Sequence, residues 1–272
     1  MTAQLPKPAR PHQNNGRVTL VGAGPGDPEL LTLKAVRALQ SAHVILFDAL
    51  VSDEVLELAR REAKRMLVGK RGHKPSCRQE DINALMLKLA RQGKHVVRLK
   101  SGDPVIFGRA GEEIAILSAA GIRVDIVPGI TSASAMAASL GISLTHRDHA
   151  HSVRFVTGHA RDGTLPQGLD WKGLADPQTT LIVYMGGRTG PELAGRVIGA
   201  GLASSTPVAA VTSVSRCDEQ TWIGTLSELA SGAFLCAPDQ PVLIGIGQAF
   251  AACVHRTGAA SVRAQRLSQT GR

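Results

Sequence analysis

The residues best suited to chemistry concentrate in one stretch, Arg98–Glu113. It gathers six charged side chains, one proline and the glycines Gly102, Gly108 and Gly111. The apolar run His95–Leu99 before it reads as a short buried strand, and the periodic segment Ile114–Ala120 after it reads as a helix. A loop joining such elements at the carboxyl end of a parallel sheet is where α/β proteins place ligands. The glycines allow backbone to come close to a ligand, and the Arg and Glu side chains suit an ionic one. The stretch alone does not name a reaction.

Three other places carry candidate groups. Asp48 closes the apolar run Val44–Phe47, which puts a carboxylate at the mouth of a sheet, available as a base or, in a dinucleotide fold, as a ribose ligand. Ser52 and Asp53 already supply a cap for the helix that follows, so capping is a weak explanation for Asp48. Lys70 and Arg71, in the basic glycine loop Gly69–Pro75, are suited to receiving carboxylates. Thr131 or Ser132 can cap a small-residue helix running to Leu140, and free N–H groups at such a start bind anions. The strand Val18–Val21 also enters a glycine turn, Gly22–Pro28. Its glycines fall at 22, 24 and 26, with Asp27 where the dinucleotide fingerprint needs its last glycine, so that fingerprint fails in detail.

The elements expected to position these groups are legible as apolar runs. Strands are expected at Val18–Val21, Val44–Phe47, Arg65–Val68, His95–Leu99 and Arg123–Val127, alternating with helices that include 54–60 and one from Gln79 or Asp81 to near Gly93. A second half follows with strands at Ser152–Thr157, Thr180–Tyr184, Pro207–Val211, Gln220–Gly224 and Pro241–Ile246, and a helix over Pro191–Ala200. The fold class is therefore α/β, in two α/β domains. The expected division is a flexible tail over 1–17, an N-terminal domain over 18–133, a C-terminal domain over 134–250 and a basic tail over 251–272.

Composition narrows the function classes. The 272 residues are 43% hydrophobic and 19% charged, which suits a globular chain with a sizeable core. No apolar run approaches the roughly 20 residues of a membrane span. The polar, proline-rich start lacks the apolar centre of a signal peptide, so a cytoplasmic protein is expected. Cys77, Cys217, Cys236 and Cys253 have no paired spacing, which argues against disulfides or a zinc site. His146, His149 and His151 lie close together without supporting carboxylate or Cys ligands, and no metal is expected there. The net charge of +9 attracts anions. Nucleic acid is a poor match, because aromatics are only 3% of the chain and none interleave the basic cluster over 60–78.

Taken together, Val21–Pro28, Lys70–Gly72, Arg98–Pro104, Phe107–Arg109, Val127–Ser132, Leu144–Arg147 and Tyr184–Gly186 resemble, in order, the uroporphyrinogen-III C-methyltransferases within the tetrapyrrole methylases. The resemblance covers about Val18 to Gly247. It implies two α/β domains with a cleft between them, usually in a homodimer. It also implies methyl transfer from S-adenosyl-L-methionine to uroporphyrinogen III at C-2 and C-7, giving precorrin-2. By the same resemblance Pro25, Ser101, Gly102, Asp103, Ile106, Thr131, Ser132 and Met185 contact the methyl donor. Tetrapyrrole contacts or chemistry are implied at Asp48, Lys70, Arg109, Glu112 and Arg147; on chemical grounds a carboxylate such as Asp48 could remove the proton that ring-carbon chemistry requires, and Lys70 could donate one. A later precorrin methyltransferase and a non-catalytic tetrapyrrole-binding protein are the alternatives. Departures from the usual pattern are Ser101 for Gly, Phe47 for Tyr, Ser143 for Pro and Val214 for Gly. Ser101 is expected either to keep φ negative or to bear strain.

Overall fold

The structure, a computed structural model, describes residues 16–69, 77–160, 162–237 and 240–254. It divides into two compact units. The first runs to Ala23 and resumes over Leu31–Gly129; the second comprises Gly24–Leu30 and the chain from Ile130 on.

The first unit contains β1 (Arg17–Gly22), α1 (Leu33–Ser41), β2 (Val44–Phe47), α2 (Asp53–Glu57), β3 (Lys64–Leu67), α3 (Gln79–Arg91), β4 (His95–Lys100), α4 (Ala110–Ala119) and β5 (Arg123–Val127). The five strands lie in the order β3-β2-β4-β1-β5, and every pairing is parallel. β4, buried at all six residues, is the central strand. Successive strand residues face opposite ways, so the sheet buries two separate layers. Val21, Ile45, Val97 and Leu99 pack with Leu39 of α1 and Val55 of α2. Leu20, Leu46 and Val96 pack with Met86 of α3 and Leu117 of α4. Neighbouring strands β1 and β4 send the chain in opposite directions, to β2 and to β5. Their carboxyl ends therefore flank the switch point where open α/β sheets bind ligands.

The second unit contains α5 (Ser132–Leu140), β6 (Ser152–Thr157), α6 (Trp171–Leu174), β7 (Thr179–Tyr184), α7 (Gly190–Gly199), β8 (Pro207–Thr212), β9 (Gln220–Thr225), α8 (Leu226–Ala230) and β10 (Val242–Ile246). Its strand order is β6-β7-β10-β8-β9. Only β6 and β7 pair in parallel; β10 runs antiparallel to β7 and β8, and β9 antiparallel to β8. Leu193 of α7 and Leu229 of α8 cover one face, and Met136 of α5 with Phe250 covers the other. Ala251–Val254 are helical, and Cys253 is buried in that second layer. Among the described residues no helix is long and apolar enough to cross a membrane.

Candidate active site

Of the element boundaries that differ from the sequence expectation, two bear on the site. β4 extends to Lys100, and α4 begins at Ala110 rather than Ile114. Glu112 and Glu113 therefore belong to a helix, in its first turn, where acidic residues suit the helix dipole. Glu113 shares its buried side with Ala110 and Leu117 and is 0% exposed.

Beneath the carboxyl ends of β2 and β4 lies an ionic cluster. Arg98 and Lys100 stand two residues apart on β4 and so point to the same face of the sheet, the face α4 covers. Arg98 Nη2 donates to Asp48 Oδ1 at 2.6 Å, and its Nε donates to Glu113 Oε1 at 3.3 Å. Lys100 Nζ donates to that same Glu113 oxygen at 3.0 Å, as does Gln79 Nε2 of α3 at 3.0 Å. Arg98 Nη1 reaches the carbonyls of Leu46 and Leu99. The Arg98 side chain is 3% exposed, whereas Asp48 is 30% exposed, so the network is buried at its root and open at the carboxylate. Burial, then the neighbouring Arg98 guanidinium, push Lys100 below the ordinary lysine range against the pull of Glu113. Arg98, Lys100 and Glu113 escaped the sequence reading as a set. The available signal was two cations at period two in an apolar strand and a Glu on the apolar stripe of a helix.

At the ends of β1, β4 and β5 three glycines meet. A Cβ on Gly22 would come within 2.6 Å of the Gly102 carbonyl oxygen and 2.5 Å of the Gly129 nitrogen. Gly102 carries the positive φ of this turn, 68°. Ser101 is not among the described non-glycine residues with positive φ, so its Cβ is accommodated by ordinary backbone. Asp103 shapes the loop: Oδ1 accepts from Val105 N at 2.9 Å and Oδ2 from Gly129 N at 3.1 Å. Further along, Phe107 and Arg109 hold left-handed φ values of 52° and 57°. Such conformations cost on the order of 1–3 kcal/mol each and gather at functional sites. Arg109 forms a bidentate pair with Glu112, at 2.8 and 2.6 Å, and both side chains are about half exposed. Ile106 is half-buried in the same loop.

The glycine turn after β1 does not open a helix. Pro25 is buried there, a short 3-10 turn over Pro28–Leu30 follows, and α1 starts only at Leu33, capped by the Thr32 hydroxyl. The helix N-terminus that a dinucleotide fold would offer to a pyrophosphate is thus already capped.

The second unit presents hydroxyls and strained backbone at its strand ends. Thr131 is the N-cap residue of α5, but its side chain makes no capping bond. Tyr184, at the end of β7, supplies that partner instead: its hydroxyl bonds Thr131 Oγ1 and accepts from Ala133 N at 3.3 Å. Ser132 is half-buried beside it. Met185 follows with φ 59° and an exposed side chain. After β8, Ser213 and Ser215 have φ of 51° and 61°, and Asp218 and Glu219 bond Ser213 Oγ and Ser215 N. Val214, where a glycine was expected by resemblance, is 7% exposed and packs into the α5 layer. Arg147 is exposed in a turn closed by the His146–Ala150 bridge. His146 and His149 stack at 4.0 Å, and His151 bonds the Arg147 carbonyl. Among the described residues no three His, Cys, Asp or Glu side chains group as metal ligands. Lys70 and Arg71 lie outside the described residues.

The sequence matches the family described as Tetrapyrrole (Corrin/Porphyrin) Methylases over residues 17–230. The chain belongs to the tetrapyrrole methylases. It is 52% identical over 233 residues to a siroheme synthase of Chromobacterium violaceum, an alignment covering 86% of this chain and 49% of the relative. This methylase chain thus spans about half the length of the curated relatives it matches. Among solved structures it resembles a Thermus thermophilus uroporphyrin-III C-methyl transferase complexed with S-adenyl homocysteine. The TM-score is 0.75 at 41% identity, covering 86% of this chain and 98% of that one. A cobalt precorrin-4 methyltransferase from cobalamin biosynthesis gives TM-score 0.75 at 28% identity, covering 88% and 98%. The fold class expected from the sequence, two α/β units of the tetrapyrrole methylase type, is the one found.

Proposed function

We propose that this chain transfers methyl groups from S-adenosyl-L-methionine to C-2 and C-7 of uroporphyrinogen III, giving precorrin-2 by way of precorrin-1. The observation that carries the reading is the 41% identity to the Thermus uroporphyrin-III C-methyl transferase over 98% of that chain. Identity to the cobalt precorrin-4 methyltransferase is only 28%, which ranks a later corrin methylation second.

The residues in hand fit the two ligands chemically. Side-chain-free backbone at Gly102, the hydroxyls of Ser101, Thr131 and Ser132, and the apolar Pro25, Ile106 and Met185 suit a molecule with amino, carboxylate, ribose and base groups. Asp103 contributes by holding the Gly102 turn to Gly129. The methyl donor supplies an electrophilic carbon on a sulfonium sulfur. Alignment of an electron-rich pyrrole carbon with that methyl lets the carbon–carbon bond form as the carbon–sulfur bond breaks, and positioning supplies most of the acceleration. The proton then lost by the methylated ring system goes to Asp48, whose carboxylate Arg98 orients; Lys70 is proposed to give a proton to one ring position and take one back from another, so that the ring tautomerises with no net change at Lys70.

The acetate and propionate groups of the tetrapyrrole are assigned to Arg109 and Arg147. The exposed Arg109–Glu112 pair is worth about 0–1 kcal/mol, so Arg109 can exchange Glu112 for a substrate carboxylate at little cost. A homodimer working in the cytoplasm is the assembly and compartment that the family resemblance favours, and sedimentation tests the first. The deciding assay incubates the protein with uroporphyrinogen III and methyl-labelled donor. Two methyl groups per tetrapyrrole are expected. Transfer only to a later precorrin, or ligand binding without transfer, rejects the reading.

A further inference from the structure

We propose that Glu113 is a positioning residue for proton transfer, acting at a distance by locking the Arg98 guanidinium that in turn fixes Asp48. The inference rests on the reading of Asp48 as the proton acceptor. Glu113 is fully buried and touches no solvent-facing surface, yet one of its oxygens gathers three donors, from Arg98, Lys100 and Gln79. An acid placed only to balance charge needs proximity to cations, not a particular angle. Here the contact is to Arg98 Nε, the nitrogen that determines how the planar fork turns, while Nη1 is tied to the Leu46 and Leu99 carbonyls. With both held, Nη2 has one direction left, and it meets Asp48 Oδ1 at 2.6 Å. Arg98 is therefore fixed by buried groups on one side and presents its last donor to a partly exposed carboxylate, Asp48. Lys100 offsets the extra negative charge of Glu113, so the buried part is an ion triad rather than a lone acid. Glu113 Oε2 is buried without a hydrogen-bond partner among the described residues. That is a costly arrangement for an ionised group, and its retention is accounted for by what Oε1 does.

The test removes the buried ion pair as a unit, because removing one partner leaves an unpaired charge that threatens folding. Lys100→Met with Glu113→Leu keeps formal charge and apolar volume balanced. The expected result is a folded protein whose kcat falls roughly ten- to a hundredfold, with KM for both substrates changed by less than about threefold. Lys100→Met with Glu113→Gln restores most of the loss, because the amide oxygen still accepts from Arg98 Nε. In an Asp48→Asn background the Met–Leu pair changes kcat by less than about twofold, since its effect runs through Asp48. An undiminished kcat, no recovery with Gln, or an equal loss in the Asp48→Asn background overturns the proposal. A crystal structure of the Met–Leu variant reads the same inference without activity. Arg98 Nη2 is expected to leave Asp48, and its staying in place overturns the proposal. Absence of methyl transfer by the unaltered protein rejects the proposed activity, while that structure still decides whether Glu113 holds Arg98.

Discussion

Under the strand ends of the first unit the working groups are buried ions; under those of the second they are hydroxyls and turns held by carboxylates nearer the solvent. Arg98, Lys100 and Glu113 sit inside the α3–α4 layer. In the second unit Tyr184 bonds Thr131, while Asp218 and Glu219 brace Ser213 and Ser215. The two kinds of parts carry different risks. An ion in low dielectric loses far more than a hydroxyl when a charged partner is removed, so the first unit depends on its ion pairs to hold Asp48, even though Glu113 Oε2 has no partner among the described residues. A hydroxyl costs far less when unpaired, and Thr180 and Thr212 of the second unit carry buried hydroxyls with no hydrogen-bond partner among the described residues. The difference matches the proposed division of labour, with proton handling in the first unit and a share of methyl-donor binding in the second.

The comparison is best attacked at its charged end. Arg98→Met leaves Glu113 to Lys100 and Gln79 and strips Asp48 of its guanidinium partner, so unfolding free energy is expected to fall by about 3–5 kcal/mol, measured by urea titration. A loss no greater than that of a surface change would show that the cluster is not the structural root of the first unit. Next is Gly129→Ala. A Cβ there collides with the Gly102 carbonyl oxygen and with Gly22, all backbone, and overpacking of this kind costs about 1–3 kcal/mol. The same denaturant titration, with the donor's KM, checks it, and a neutral result would mean that the three-glycine contact is slack.

Tyr184→Phe probes the hydroxyl side. Loss of the partner to Thr131 and Ala133 is expected to cost roughly 0.5–2 kcal/mol and to raise KM for the methyl donor while leaving kcat nearly unchanged. An effect mainly on kcat would erase the contrast between the units. The smallest effect concerns pH. His95 bonds Thr19 Oγ1 through Nε2 at 2.9 Å and the Ser41 carbonyl through Nδ1 at 3.1 Å. Nδ1 therefore donates and Nε2 accepts, as in the neutral ring. Burial pushes its pKa below the ordinary 6.5, helped by Arg17 and His43, against the Ser41 bond and Asp125. The unfolded chain then binds more protons between the two pKa values, so stability is lost as pH falls below about 6.5. Melting temperature is expected to drop from pH about 7.5 to about 5.5, and His95→Gln to flatten the curve. An unchanged slope in that variant would assign the pH dependence elsewhere.

Much of the fold was legible because strand residues here are long apolar runs set off by turn residues. Val44–Phe47 and Val242–Ile246 could hardly be anything else. Of the short helices, α2 is legible from its cap, whereas α6 and α8 are not. Thr225 and Glu228 form a full capping box for α8, a signal present in the sequence but attached to only five residues. α4 was placed four residues late, because the first-turn Ala110–Glu113 looks like polar loop until Glu113 is known to be covered.

What the sequence determined by itself was local: which segments are strands, that the turn after β1 fails as a dinucleotide site, and which motifs place the chain beside the tetrapyrrole methylases. What only tertiary structure decided was partnership. Nothing in residue order says that Arg98 reaches Asp48 fifty positions earlier, or that Tyr184 rather than Thr131's own side chain serves the start of α5. Strand order sets those meetings. β2 and β4 become neighbours although a strand and two helices separate them in sequence, and burial then converts an ordinary-looking Arg, Lys and Glu into a network whose angles matter.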